Sequence, residues 1–186
     1  MVLRLNKEYR YTILCEDKLT QCFVRRFLIA SGINGRKIYP LPLPVAGCGE
    51  QYVREQFPRQ LKALRAKSYN SNVLFTIIDA DSYTYEEREK MLEDACKISE
   101  TDSRTETDKI LLFIPKRNIE TWIKHFGGEN VDEKTDYGHF LNGHEKDSYL
   151  AAEKMAQEFM KSSITYPLLS LQKAYEEYLQ LVKKIS

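Results

Sequence analysis

Apolar residues recur with two spacings along the chain, and the two spacings alternate from segment to segment. Runs of aliphatic, β-branched and aromatic residues predict strands at 9–15, 37–46, 72–78 and 109–114. Apolar positions three or four residues apart predict helices after each strand, beginning with one that starts at Thr20 and stops at Gly32. Because such connections are right-handed crossovers, the pattern predicts an α/β fold, a Rossmann-like sheet of about four mainly parallel strands flanked by helices.

Two of these strands have recognisable positions in the predicted sheet. Segment 72–78 is an almost continuous apolar run, which is typical of a central parallel strand covered on both faces. Segment 37–46 carries prolines at positions 40, 42 and 44, and proline cannot donate a hydrogen bond to a neighbouring strand. The sequence therefore predicts a central third strand and a weak edge strand.

The length of 186 residues favours a single hydrophobic core. Residues 1–126 contain all the predicted strands and are interpreted as the α/β core. Segment 127–146 is polar and predicts a surface excursion, and two helices are predicted at 148–161 and 168–184. Residues 127–186 are therefore expected to be an extension that packs on the same domain.

Composition narrows the function classes. A formal net charge of +1 gives no overall attraction to nucleic acid, so such binding would depend on local clusters of Lys and Arg. The four cysteines lack C-x-x-C spacing, which argues against a zinc site and a disulfide framework. No signal-peptide pattern and no apolar run near 18 residues occur, so we expect a cytoplasmic protein without a membrane segment.

Acidic residues follow two of the predicted strands. Glu16 comes directly after the first strand, and Asp79 and Asp81 come directly after the third. Because the carboxyl ends of parallel strands meet at one edge of the sheet, these side chains are expected to converge there. Clustered carboxylates favour a hard divalent cation, so the sequence predicts a Mg²⁺ or Mn²⁺ site. Asp-x-Asp by itself is also common among solvent-exposed loop acids.

The fourth strand is followed by Lys116 and Arg117 and, one turn later, by Glu120. The two cations are candidates for stabilising charge on a reacting phosphate, and Glu120 is a candidate ligand for a second metal ion. Each residue also has a simpler interpretation. Lys116 and Arg117 fit an ordinary solvated helix start, and Glu120 fits a first-turn acid that complements the helix dipole.

Other features carry weaker signals. Gly47 and Gly49 precede a helix and would allow a phosphate-binding turn, although a plain tight turn is the simpler interpretation. Trp122 is interpreted as a core anchor. The histidines are interpreted as surface residues, and the basic residues of the second helix as a solvated face that would also suit a phosphate backbone. These residues are His125, His139 and His144, and Arg54, Arg59, Lys62, Arg65 and Lys67.

The order of these elements and acids resembles the Toprim domain of type IA topoisomerases, bacterial primases and nucleases of the overcoming-lysogenization-defect group. The resemblance covers residues 9–126 and is carried by Glu16 after the first strand and by Asp79-x-Asp81 after the third. This chain departs from the family pattern in one respect, because no glycine closely follows Glu16. The short chain is most similar to free-standing prokaryotic Toprim-like proteins, some of which occur in phage-defence or mobile-element loci.

The resemblance implies a Mg²⁺-dependent nuclease in which Glu16, Asp79 and Asp81 hold one or two ions and Glu16 alternatively serves as a general acid or base. The expected partners are nucleic acid, DNA in preference to RNA, and an ATPase or other protein. Two alternatives remain open on the same residues. One is a phosphatase or phosphotransferase, and the other is a non-enzymatic interaction or scaffold module with this fold.

Overall fold

The computed structural model describes residues 3–66, 71–138 and 145–186. Within them lies one sheet of four strands in the order β2-β1-β3-β4, and every neighbouring pair is parallel. This confirms the predicted α/β class and places the apolar third strand between two neighbours. The strands are β1 (Arg10–Leu14), β2 (Ile38–Pro40), β3 (Asn72–Ile77) and β4 (Ile110–Phe113).

Six α-helices flank the sheet in the described part of the chain. The first four follow the four strands in turn, so each strand and its helix form one repeating unit. The last two follow the polar excursion. The helices are α1 (Lys18–Ala30), α2 (Gly49–Ala66), α3 (Tyr85–Ile98), α4 (Ile119–Gly127), α5 (Tyr149–Phe159) and α6 (Leu169–Ile185).

The predicted elements differ from the observed ones mainly at their ends. The edge strand β2 has only three residues, and its pairing with β1 ends as the proline-rich segment begins, although Leu41 N–H still donates to the Ile13 carbonyl at 2.9 Å. His125 is half-buried, so its predicted surface position is only partly realised. The predicted surface residues His139 and His144, and Lys67 of the basic helix, lie outside the described residues.

Alternate strand residues enter two separate hydrophobic clusters, one on each face of the sheet. On one face, Phe75 and Phe113 belong to a cluster formed with α1, α4, α5 and α6. On the other face, Leu74 and Leu112 belong to a cluster formed with α2 and α3. Because both faces are covered, β3 and β4 are apolar along almost their whole length.

The C-terminal helices complete the first cluster. The Phe27 ring meets four other aromatic rings edge-on, with centroid separations of 5.7 to 6.1 Å. These rings are Phe75, Phe113, Phe159 and Tyr178, so α5 and α6 share a core with β3 and β4. Among the described residues, no helix combines the length and the apolar character needed to cross a membrane.

Candidate metal centre

The carboxyl ends of β1 and β3 are joined by a side chain. Leu14 pairs with Thr76, so the chain leaves both strands at the same edge of the sheet. Two residues after Leu14, the Glu16 carboxylate accepts a hydrogen bond from the backbone N–H of Asp79 at 2.7 Å. The predicted convergence of Glu16 and Asp79 is therefore present.

The Asp79 carboxyl group lies in surroundings that disfavour a negative charge. Its Oδ1 atom is buried and has no hydrogen-bond partner among the residues that the structure describes. Burial, followed by the negative charges of Glu16, Asp17, Glu120 and Asp81, holds the pKa of Asp79 well above its usual range. A buried carboxyl oxygen without a donor is costly unless a proton or a cation satisfies it.

The same surroundings raise the pKa of Glu16. Burial raises the pKa of Glu16 to about 7, and the charges of Asp81 and Asp17 act in the same direction. The hydrogen bond from Asp79 N–H and the charge of Arg88 oppose this increase without cancelling it. Glu16 would therefore exchange a proton near neutral pH.

Asp81 lies at the same edge, in an unusual backbone conformation. Its φ is +52°, and its N–H donates to the Arg117 carbonyl at 3.0 Å in an antiparallel bridge. Arg117 also has a positive φ, +66°. The two loops after β3 and β4 are thus locked to each other by paired left-handed residues. The Asp81 side chain remains 60% exposed.

A buried arginine neutralises part of the acidic edge, and the sequence interpretation missed it. The Arg88 side chain is 1% exposed and donates from Nη2 to Asp81 Oδ2 at 2.9 Å and from Nη1 to Glu50. The signal was its spacing, because Arg88 lies four and eight residues before Leu92 and Cys96 on the buried face of α3.

Glu120 lies in the first turn of α4 and is only 7% exposed. Its negative charge is among the causes that raise the pKa of Asp79, so the structure brings it into the electrostatic neighbourhood of the acidic pair. Glu120 is therefore a buried acid in the first turn of α4. Its position in the first turn agrees with the helix-dipole interpretation, and its predicted role as a metal ligand stays a prediction.

Lys116 and Arg117 are partly buried and turned toward backbone carbonyls. The Lys116 ammonium group donates to the carbonyls of Ser82 and Tyr83 in the loop after β3. The Arg117 guanidinium donates through Nε to the Lys134 carbonyl at 3.0 Å, which ties the polar excursion to the edge. Both cations are close to the acidic loops, but the acceptors of these hydrogen bonds are backbone carbonyls and not the carboxylates of Glu16 or Asp79.

Two neighbouring residues have structural roles. Asp17 is the N-cap of α1, and its carboxylate accepts the Thr20 N–H at 2.8 Å. Gly49 begins α2 directly against Glu16, because a Cβ added there would lie 2.7 Å from Glu16 Cβ. Gly47 has a φ of +82° and lies within the turn that the hydrogen bond from Cys48 N–H to the Val45 carbonyl closes, as the tight-turn interpretation predicts.

The carboxylate oxygens at this edge are chemically suited to a hard divalent cation. They are not arranged as a preformed metal-binding cage. Carboxylate oxygens converge, Asp79 Oδ1 is orphaned, and both Glu16 and Asp79 have raised pKa values, as expected where negative charge lacks compensation. However, no group of three or more His, Cys, Asp or Glu residues in the described ranges is arranged to hold a metal ion. Arg88, which pairs with Asp81, accounts for part of this difference.

A scan of protein-family models and searches of curated proteins and of solved structures gave no match to this chain.

Proposed function

We propose that the protein is a Mg²⁺-dependent phosphodiesterase that acts on nucleic acid at the edge formed by Glu16 and Asp79. The observation that carries the proposal is the junction between them. Glu16 accepts the Asp79 N–H, while Asp79 Oδ1 is buried and lacks a partner within the described structure. The raised pKa values make these carboxyl groups strongly basic, and they lie at the edge where parallel α/β sheets bind ligands.

Glu16 and Asp79 would hold the ion, and Asp81 and Glu120 would contribute from the two sides. A bound Mg²⁺ or Mn²⁺ would supply neutralisation of the phosphate and a more acidic water. With a pKa of about 7, Glu16 is also suited to accept or return a proton during attack on phosphorus. Asp81, with an exposed carboxylate, faces incoming substrate more openly than Asp79 does.

Lys116 and Arg117 are the proposed phosphate-binding cations. Each now donates to neutral backbone carbonyls. A charged phosphate oxygen is the stronger acceptor, so it would compete effectively for either group. Their position after β4 places them beside the loop that carries Asp79 and Asp81, since Ala80 N–H donates to the Pro115 carbonyl at 2.9 Å.

The polymer, which we propose to be DNA in preference to RNA, would approach from the edge of the sheet. On the outer face of α2, Arg59 and Lys62 are exposed, whereas Arg54 and Arg65 are paired with Glu50 and Asp108. This leaves a modest positive surface, so additional affinity from an ATPase or other protein partner forms part of the proposal. A role in a prokaryotic defence or mobile-element system would be consistent with it.

A non-enzymatic interaction module is the second candidate, and one observation favours it. The Arg88 guanidinium already compensates Asp81, so part of the acidic edge is neutral without any ion. In that case Glu50 and Asp81 would fix α3 at this edge through Arg88, and the acidic edge would not support hydrolysis.

Calorimetric titration with Mg²⁺ and Mn²⁺, followed by incubation with labelled single- and double-stranded DNA and RNA, separates these candidates. The wild type should bind metal and cut one polymer, and an Asp79→Ala, Asp81→Ala variant should do neither. The control is Glu93→Gln, which removes a negative charge from the exposed face of α3 and should leave metal binding and cleavage unchanged. Metal binding with hydrolysis of small phosphate esters only would indicate a phosphatase. Absence of metal binding by the wild type would leave the interaction module.

A further inference from the structure

We infer that Arg88 is a positioning residue that takes the place of a second cation, so that the centre accepts one divalent ion. The inference rests on the proposed metal-dependent function and specifies its stoichiometry. It starts from the location of the guanidinium group. Arg88 reaches the acidic edge from α3 and is 1% exposed, an unusual position for an arginine.

The Arg88 guanidinium group bridges carboxylates from two elements. Nη1 donates to Glu50 Oε1 on α2, and Nη2 donates to Asp81 Oδ2 on the loop after β3. Nη1 also approaches Met91 Sδ at 3.6 Å, and the Tyr83 ring lies beneath the charge at 5.0 Å from its centroid. A divalent ion between Glu50 and Asp81 would require the same space and the same oxygens.

This bridge also divides the acids into two sets. Glu50 and Asp81 Oδ2 are compensated by Arg88, whereas Asp79 Oδ1 has no partner in the described residues. The buried carboxyl oxygen that lacks a partner in the described residues therefore lies on the side of Glu16 and Asp79. Arg88 Nε is buried and likewise has no partner among the described residues, so the guanidinium is held by its two outer nitrogens alone. One ion on the side of Glu16 and Asp79 would complete the charge balance.

Removal of the guanidinium should therefore create a second ion site. In Arg88→Met, the carboxylates of Glu50 and Asp81 lose their shared cation, and their partial exposure of 30% and 60% keeps them open to solvent ions. We expect one Mn²⁺ per chain in the wild type and two in Arg88→Met by calorimetry. Two ions held by neighbouring carboxylates should also give a spin-coupled electron paramagnetic resonance spectrum that the wild type lacks.

Three further variants test the assignment. Arg88→Lys retains a positive charge and should restore one ion. Arg88→Met combined with Glu50→Gln removes a carboxylate from the new site and should also bind one ion. Arg54→Met is the matched control, because Arg54 pairs with the same Glu50 from an exposed position and should leave the stoichiometry at one.

The outcomes separate this inference from the proposed function. If the wild type binds no ion, the proposed function fails. If the wild type binds two ions, or if Arg88→Met still binds one while circular dichroism shows it folded, only the role of Arg88 is overturned. Should Arg88→Met fail to fold, Arg88→Gln retains a polar side chain and is measured in the same way, with two ions expected.

Discussion

The Glu16 carboxylate accepts the backbone N–H of Asp79 at 2.7 Å, which links the loops after β1 and β3 through a side chain. The carboxyl group of Asp79 itself gains no hydrogen bond from this contact, and its Oδ1 atom is left without a partner in the described structure. The backbone of one acid thus stabilises the other, while their charges repel. Metal affinity and stability should therefore respond in opposite directions when these acids are changed.

Asp79→Asn should abolish metal binding and hydrolysis while stabilising the metal-free protein. The amide replaces a buried carboxyl group whose pKa is held well above its usual range by burial and by neighbouring negative charges, so the free energy of unfolding should increase. Activity should fall at least about 100-fold, since outer-sphere changes alone cost 10- to 100-fold. Urea denaturation and a nuclease assay measure the two effects. Glu93→Gln, which removes an exposed acid of α3, should change neither, and a destabilised Asp79→Asn would contradict the expected gain in stability.

Metal-free stability should decrease as the pH rises from about 4.5 to about 7. The pKa of Glu16 is raised from its ordinary 4.5 to about 7 in the folded protein, so between these values the folded state binds a proton that the unfolded state releases. Thermal melts across this range should show the slope, and Glu16→Gln should reduce it. Glu93→Gln, an exposed acid on α3, should retain the wild-type profile.

Metal affinity should increase with pH, whereas metal-free stability should decrease. Below about pH 7 the Glu16 carboxyl group is protonated, so a cation must displace that proton and binding weakens. Mn²⁺ titrations at about pH 5.5, roughly one and a half units below the pKa of Glu16, and at about pH 8 compare the protonated and the ionised carboxyl group. Equal affinity at both pH values would show that Glu16 is not a ligand.

Gly49→Ala should weaken metal binding by displacing Glu16. The new methyl group would lie 2.7 Å from Glu16 Cβ and 3.0 Å from the Glu16 carbonyl oxygen, and backbone atoms cannot move away at low cost. Overpacking of this kind costs about 1 to 3 kcal/mol. The control is Gly127→Ala at the end of α4, where a Cβ meets no atom within 4 Å and alanine favours the helix. Equal melting temperatures for the two variants would contradict the close contact.

Lys116→Met should lower the rate of hydrolysis without changing metal affinity. If its ammonium group transfers from the carbonyls of Ser82 and Tyr83 to the phosphate, its loss should reduce kcat by about 100-fold. Lys124→Met on α4 is the control, because Lys124 pairs with Glu129 and has no proposed role in the reaction. A reduced melting temperature with unchanged kcat would assign Lys116 a structural role only.

Ser170→Ala should weaken the attachment of α6 to α4. The Trp122 indole N–H donates to Ser170 Oγ at 2.9 Å in a fully buried contact, and without this acceptor it would lack a partner at a cost of about 1 to 3 kcal/mol. Chemical denaturation measures the loss. Ser99→Ala, at the exposed end of α3, should have a much smaller effect.

The central position of β3, the edge position of β2 and the meeting of Glu16 with Asp79 could be predicted from the apolar pattern, the prolines and the parallel topology. A continuous apolar strand must be central, and the carboxyl ends of parallel neighbours must coincide. The acids were therefore placed by topology, which depends little on individual contacts. Trp122, which is fully buried, was predictable as a core anchor for the same reason.

Other features of the candidate site could not be predicted, because they depend on contacts that sequence spacing does not encode. Helical spacing places Arg88 on the buried face of α3, but its pairing with Glu50 and Asp81 required knowledge of which acids the helix faces, because an arginine at such a position usually extends toward solvent. The close approach of Gly49 to Glu16 joins residues from two loops at a distance no local pattern reports. Asp17 looked equivalent to Glu16 in sequence, yet it caps α1 because its side chain points back to Thr20.

The loop that continues β3 should exchange its amide hydrogens as slowly as the sheet itself. Four consecutive N–H groups, at residues 78 to 81, each have an acceptor: the carbonyls of Phe113, Pro115 and Arg117, and the carboxylate of Glu16. Exchange of these amides with deuterium therefore requires separation of β3 from β4 or loss of the Glu16 contact. A site built this way does not need a ligand to become ordered, and the lifetime of its geometry is the lifetime of the central strands.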